Sequence, residues 1–417
     1  MRKYLRKIPA RNYVIIGLVI VIYLCNKACT DRPSTTATAP IRNSYGQAFA
    51  GSAACSVCHQ NIYQGHIHTA HYLDSRPASE EYIKGSFDSG RNRFVYQAGM
   101  EVRLERKDGH FFQTAFLHGK EYRRESFDIV IGSGRKGQTY LYWNDGKLFQ
   151  LPISYFSVLQ SWCNSPGYSD SAANFDRRVP ATCLECHTTY ARTVFRSSAD
   201  RGDIFDKDQI VYGIDCEKCH GPGAQHIAFH TEHPEEKKGG YITNTRLLSR
   251  QQRLDACALC HSGSRSQRMP AFSFQPGDTL DNFSTARYFS DSTASLDVHG
   301  NQYGLLTSSK CFRSSQMDCS SCHNVHVNEA GDPKLFSQRC MTCHSPAGAH
   351  FCRMAATVDA AVLAVNCIDC HMPSLPSQKI LLTMSNAGRT VHNLVRTHRI
   401  AIYPEIAKEY LEKLRQQ

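Results

Sequence analysis

The pattern Cys-x-x-Cys-His occurs seven times in this chain of 417 residues: Cys55/Cys58/His59, Cys183/Cys186/His187, Cys216/Cys219/His220, Cys257/Cys260/His261, Cys319/Cys322/His323, Cys340/Cys343/His344 and Cys367/Cys370/His371. At the chain's own Cys and His frequencies chance would supply roughly 0.04 copies, so the repetition is a built feature. Two thiols two residues apart can each form a thioether to one vinyl group of a haem. The histidine that follows is then held over one face of the ring, where it can bind iron. Zinc and disulfide scaffolds also use paired cysteines, but neither has a reason to fix a histidine directly after every pair. The spacing therefore predicts seven covalently attached haems.

That number constrains the fold. About 365 residues follow the N-terminal segments, roughly fifty per haem, too few to give each cofactor an ordinary apolar core. The haems are expected to form much of the core, and haems packed that closely suit a chain of electron hops.

The formal charge of +11 would by itself suggest nucleic acid or an anionic membrane surface. Six of the positive charges (Arg2, Lys3, Arg6, Lys7, Arg11 and Lys27) fall in the first 29 residues, which hold no acid. Seven haems would also add about fourteen propionate charges, partly offset by ferric iron. A nucleic-acid partner is not expected.

The basic start followed by the apolar run Tyr13 to Leu24 reads as an export signal, too short for a standard spanning helix. Cys25 and Cys29 follow that run, where a lipidated cysteine would sit, so residues 1–29 are assigned as an export signal or a membrane or lipid anchor. Residues 30–50, rich in Thr, Ala, Pro and Ser, read as a flexible linker. A first haem segment (51–90) and a haem-free β-rich subdomain (91–160) follow. Alternation of apolar and polar residues is clearest over 91–156, with Asp108-Gly109 and Asp145-Gly146 at hairpin positions. Residues 161–400 carry six motifs between short helical stretches, and 401–417 reads as a C-terminal helix.

Thirteen histidines lie outside the motifs, enough to give every iron a second axial ligand. The candidates are His71, His118, His226, His299, His326, His350 and His398, with His68 a rival to His71. His326 lies three residues after His323 on about one helical turn, so the haem plane would bar it from the far side of that iron. As a ligand it would serve a neighbouring haem, and a weaker form of the argument covers His226 and His350. Cys163, Cys311 and Cys352 stand outside the motifs, and the last two could form a disulfide or remain small buried thiols.

The segments CSVCHQNIYQGHIHTAH, CEKCHGPGAQH, VHGNQYGLLTSSKCFRSSQMDCSSCHNVH, NCIDCHMP and RTHRI resemble a family of bacterial multihaem cytochromes. These are related to the tetrahaem cytochrome that takes electrons from hydroxylamine oxidoreductase. IGSGRKGQTYLYW and NSPGY look like a non-haem segment of the same family, so the resemblance covers nearly the whole body after Gly51. It implies a mainly α fold with much irregular structure around a haem-filled core, here with the β-rich insertion added. It also implies a periplasmic or outer-surface location and bis-histidine haems in stacked and perpendicular pairs.

Two functions follow as expectations. The first is electron transfer between extracytoplasmic redox partners, a quinol-side donor and a periplasmic or surface acceptor, with membrane association through the N-terminus. The alternative is a haem oxidoreductase acting on a small nitrogen or sulfur species at one five-coordinate iron. The haems at His187 and His261, without a spare histidine in the next thirty residues, are the candidates for that open position. Arg135, Lys136, Tyr140 and Tyr142 would then line an anion pocket, or else be exposed hairpin residues. The Lys-ending haem motif of pentahaem nitrite reductase does not occur here.

Overall fold

The computed structural model describes residues 39–97, 99–195, 203–286, 300–345, 351–356, 358–385 and 390–415. The export segment, most of the linker, His299 and His350 lie outside the described residues. Among the described residues no helix is long and apolar enough to cross a membrane.

Order begins before the first motif. Arg42 bridges to Ala48, and Ile41 and Phe49 pack on the apolar cluster around Tyr190 and Phe272. The first helix, Ser52–His66, carries the first motif and kinks at His59 (φ −115°, ψ 40°).

The haem-free region is built from two sheets. Arg93–Val95, Met100–Lys107, His110–Leu117 and Lys120–Ser126 form an antiparallel meander. Its turns at Asp108-Gly109 (φ 51° and 77°) and His118-Gly119 (φ 49° and 78°) place two successive residues in the left-handed region. That is the geometry of a two-residue hairpin turn whose twist matches the strands. A seven-stranded sheet runs Ser75–Pro77, Ile129–Ile131, Gly137–Asn144, Lys147–Gln150 and Arg177–Arg178, with Ile153–Phe156 and Ser161–Asn164 attached through Gly137–Asn144. Between the sheets lies an aromatic core. Phe127 stacks on Tyr140 at 4.4 Å, and Trp162 packs edge-on against Phe87, Phe127 and Tyr155. Gly85 is required there, because a Cβ would lie 2.0 Å from the Trp162 ring.

A second cluster (Ile129, Leu141, Leu148, Val179, Leu184, Tyr190, Phe205, Phe272) joins the back of the seven-stranded sheet to the second motif. Leu184 lies between the two cysteines of that motif, so the β-rich region and the first motif-bearing helix after it share one apolar interior.

The mainly α expectation is overturned: among the described residues helices make up 29% and strands 28%. Three of the motif helices are short. Ala181–His187, Cys216–His220 and Cys367–His371 end at or just after the histidine, too short to be stable without tertiary packing. The chain between motifs pairs with itself instead, as Thr188–Phe195 with Ile204–Tyr212, Arg265–Gln267 with Ser284–Ala286, and Ser374–Thr383 with Thr390–Arg396. The C-terminal helix spans Pro404–Arg415.

Candidate haem-attachment and ligand sites

Several motifs are anchored by polar residues within or beside them. Asp215 caps the third motif helix by accepting from the Glu217 N–H at 2.9 Å. Glu217, between the third motif's cysteines, accepts from the backbone N–H groups of Ala50 (2.8 Å), Gly51 (2.8 Å) and Gly223 (2.6 Å). Burial pushes its carboxyl up while the three donors pull it down. One side chain thus ties the third motif to the start of the first. Glu185 does the same for the second motif, accepting from the Phe272 N–H at 2.6 Å. Asp318 precedes the fifth, accepting from Ser320 N–H and from Arg253 Nε at 2.6 Å. Arg396 Nη2 donates to Asp369 of the seventh at 2.7 Å.

These anchors bring thiols of different motifs together. Cys55 adjoins Cys216, Cys186 adjoins Cys260, Cys257 adjoins Cys319, and Cys340 adjoins Cys367. Cys219 also lies near Cys257, and Cys322 near Cys340. The motifs therefore run in space as first, third, fourth, fifth, sixth, seventh, with the second beside both the fourth, through Cys186 and Cys260, and the third, through Lys218 Nζ on Glu185 O at 2.6 Å. Cys311 and Cys352 are both free; Cys311 lies by Cys322 and Cys343, and Cys352 by Cys370. Cys163 is fully buried, and burial pushes its thiol up to about 12.

Three motif histidines face a second imidazole. The ring centres of His220 and His326 are 6.3 Å apart at 18°, those of His323 and His398 are 6.2 Å apart at 25°, and those of His71 and His261 are 6.0 Å apart at 68°. A metal–nitrogen bond of about 2.0 Å on each side, plus about 1.1 Å from nitrogen to ring centre, places two imidazoles that share one metal about 6.2 Å apart. The donor set fits haem iron at each of these pairs. Burial lowers His71 to about 4, with His261 adding to the effect, and lowers His398 to about 4, with His323 adding. His326 is lowered by burial and then by His220. Neutral imidazole is the form that binds a metal.

The reach of His326 depends on one glycine. A Cβ on Gly65 would lie 2.6 Å from the His326 carbonyl oxygen, so the first helix packs directly on the loop that carries His326. Neighbouring His66 is also 6.3 Å from His326, but both its ring nitrogens meet carbonyl oxygens, of Val325 (3.3 Å) and Ile214 (3.1 Å).

The other candidates sit apart from these pairs. His118 occupies an exposed hairpin turn of the haem-free meander. His226, on the helix Ala224–Glu232, bonds Gly240 O through Nδ1 at 2.8 Å and lies 4.6 Å from His230, too close for one shared iron. Tyr140 and Tyr142 are buried in the aromatic core, their hydroxyls donated to Gln138 Oε1 and Phe175 O, so they line no anion pocket.

Four of the motif histidines have a fixed acceptor on Nδ1, leaving Nε2 to face the ligand side. Nδ1 of His220 meets Thr243 O at 2.9 Å, that of His371 meets Ala401 O at 2.9 Å, and that of His261 meets Gln302 Oε1 at 3.3 Å. His187 differs, its Nδ1–H lying 2.9 Å from the Asp74 carboxylate. Burial alone would lower His187; the hydrogen bond to Asp74 and the charges of Asp74 and Cys186 together outweigh it and raise it. No local pattern marks these acceptors, because each is brought in by tertiary structure.

A family model described as cytochrome c554 and c-prime matches residues 161–221, which contain the second and third motifs. The multiheme cytochrome MtrA of Shewanella baltica (strain OS185) is 24% identical over 209 residues, 48% of this chain and 47% of that protein. The chain thus spans about half the length of that curated relative. No solved structure matches it.

Proposed function

We propose that this chain, a bacterial multihaem c-type cytochrome, relays electrons between extracytoplasmic redox partners through seven covalently held haems. The likeness to multihaem cytochromes supports electron transfer. The finer reading rests on one observation above the others: His220, His261 and His323 each face a second imidazole at 6.0–6.3 Å. An iron held between two such rings has no position left for substrate, so it can pass electrons and do little else.

In this reading Cys55 and Cys58, Cys183 and Cys186, Cys216 and Cys219, Cys257 and Cys260, Cys319 and Cys322, Cys340 and Cys343, and Cys367 and Cys370 carry the seven haems. His59, His187, His220, His261, His323, His344 and His371 are the proximal ligands. His326 serves the iron of His220, His71 that of His261, and His398 that of His323. Electrons pass along the order in which thiols of successive motifs adjoin, with the second haem a branch from the fourth. The partners are a quinol-side donor and a periplasmic or surface acceptor, met outside the cytoplasm.

A second reading keeps one open iron. His71 opposite His261 removes the fourth haem from that role. Among the described residues no ring contact joins His187 to another histidine, so the second haem is where a small nitrogen or sulfur species would bind.

Electron paramagnetic resonance of the fully oxidised holoprotein, made in a strain that matures c-type cytochromes, distinguishes the two, with the haem count taken from the intact mass. Seven haems, all low-spin, support the relay. One high-spin iron that His187→Ala abolishes supports the open site. Fewer than seven haems refutes the attachment scheme.

A further inference from the structure

Asp74 is the last residue before the strand Ser75–Pro77, which pairs with Ile129–Ile131 in the seven-stranded sheet. Its backbone is held on both sides: its N–H donates to His71 O at 3.1 Å, and its carbonyl accepts from the Gly132 N–H at 2.5 Å. Gly213 closes over the same turn. A Cβ there would lie 2.2 Å from Tyr72 O, and its N–H donates to Ser75 Oγ at 2.8 Å. The carboxylate is thus carried on a sheet edge pinned by hydrogen bonds, which holding the His187 ring in one orientation requires.

From that position Oδ2 accepts the Nδ1–H of His187 at 2.9 Å, across 113 residues of sequence. The side chain is 23% exposed, so it is neither freely solvated nor sealed. The corresponding nitrogens of His220 and His371 meet backbone carbonyls, and that of His261 meets a side-chain amide oxygen. All three of those acceptors are neutral. Asp74 interacts electrostatically with His71, His187 and His261.

We infer that Asp74 is a positioning residue for the second haem, setting its reduction potential below those of the haems whose histidines bond neutral acceptors. This rests on the proposed attachment of a haem at Cys183 and Cys186, but not on whether that iron has an open side. An anionic acceptor on Nδ1–H leaves the imidazole more electron-rich, and an electron-rich ligand stabilises the ferric state. The carboxylate also fixes the ring plane and tautomer, so Nε2 is the nitrogen presented to iron. The second motif's thiols adjoin those of the fourth, and Lys218 of the third motif donates to Glu185 O of the second at 2.6 Å, so a lowered potential there makes the second haem fill after these neighbours.

The test is a potentiometric titration of the holoprotein followed by optical and paramagnetic resonance spectra, comparing wild type with Asp74→Asn and Asp74→Glu. The intact mass of each variant checks the haem count. The asparagine keeps an acceptor oxygen but removes the charge. Its expected effect is about a tenfold change in the reduced-to-oxidised ratio of one component at fixed potential, or about 59 mV upward for a one-electron couple. Asp74→Glu should return that component most of the way. Seven haems with every component unmoved in Asp74→Asn would overturn the inference. So would an equal shift of several components, which would make Asp74 a general surface charge. Loss of one haem in both variants would make it a folding residue instead. Six haems in the wild type, with no haem on Cys183 and Cys186, would refute the attachment scheme itself.

Discussion

Between Phe94 and Phe175 the chain buries ten aromatic rings in one cluster, stacked and edge-on between two sheets. From Asn301 onward the buried apolar side chains among the described residues are Leu305, Phe312, Ile368 and Leu382. Val325, Val327, Leu381, Leu394 and Ile402 are exposed over the same stretch. The first region is built as ordinary globular proteins are, with apolar side chains removed from water. The second carries three motifs in little more than fifty residues and holds its backbone with polar anchors such as Asp318, Ser309 and Arg396. The contrast teaches where the cofactors contribute most to the fold. In the proposed reading the haems supply the apolar interior that residues 301–415 lack.

The largest effect should follow from removing a cofactor where the protein core is thinnest. Cys319→Ser with Cys322→Ser is expected to lower the haem count by one and open residues 301–400 to limited proteolysis, leaving the sheets resistant. Equal resistance in both regions would break the contrast.

Trp162→Ala should act the other way. Truncating a buried tryptophan costs about 3–5 kcal/mol. Denaturant unfolding followed by circular dichroism should show that loss while the haem count stays the same. Fewer haems would mean that the aromatic core also organises the attachment sites.

Gly65→Ala probes how the first motif helix seats the second region's His326 loop. The added methyl meets the His326 carbonyl at 2.6 Å, and such overpacking costs about 1–3 kcal/mol. The expected readout is a change in one low-spin signal, that of the His220–His326 iron, with the others kept.

The smallest effect concerns pH. Arg339 donates to Glu329 and holds its carboxyl below the ordinary range. A depressed carboxylate contributes stability in full above its unfolded pKa, about 4.3, and loses it as pH falls through the lower folded value. The loop from Asn324 to Arg339 should loosen only below about pH 4, and Glu329→Gln should remove that dependence. Thermal melts at several pH values check it.

Local chemistry made much of the chain legible. Seven repeats of a five-residue pattern name the cofactor, and Asp108-Gly109 and Asp145-Gly146 mark turns because few other residues tolerate positive φ twice in succession. His326 could be denied its own motif's iron from spacing alone, but nothing local pointed to His220 as the ring it faces. His71 and His261 meet across the whole first half of the body, and Asp74 reaches His187 through strand pairing that no sequence window contains. The mainly α expectation came from resemblance and failed between the motifs, where segments such as Thr188–Phe195 and Ile204–Tyr212 satisfy their backbone by pairing as hairpins. The thiol adjacencies were equally hidden, since they depend on anchors such as Glu217 and Glu185 whose partners lie far away in sequence.

Amide hydrogen exchange of the holoprotein against the haem-free chain, made without the maturation machinery, tests the contrast most directly. The account predicts that Met100–Lys107, His110–Leu117 and Gly137–Asn144 stay protected in both forms, while Gln302–Thr307, Pro333–Met341 and Cys367–His371 are protected only with haem. Equal protection of these helices without haem would contradict it, as would loss of protection throughout the sheets.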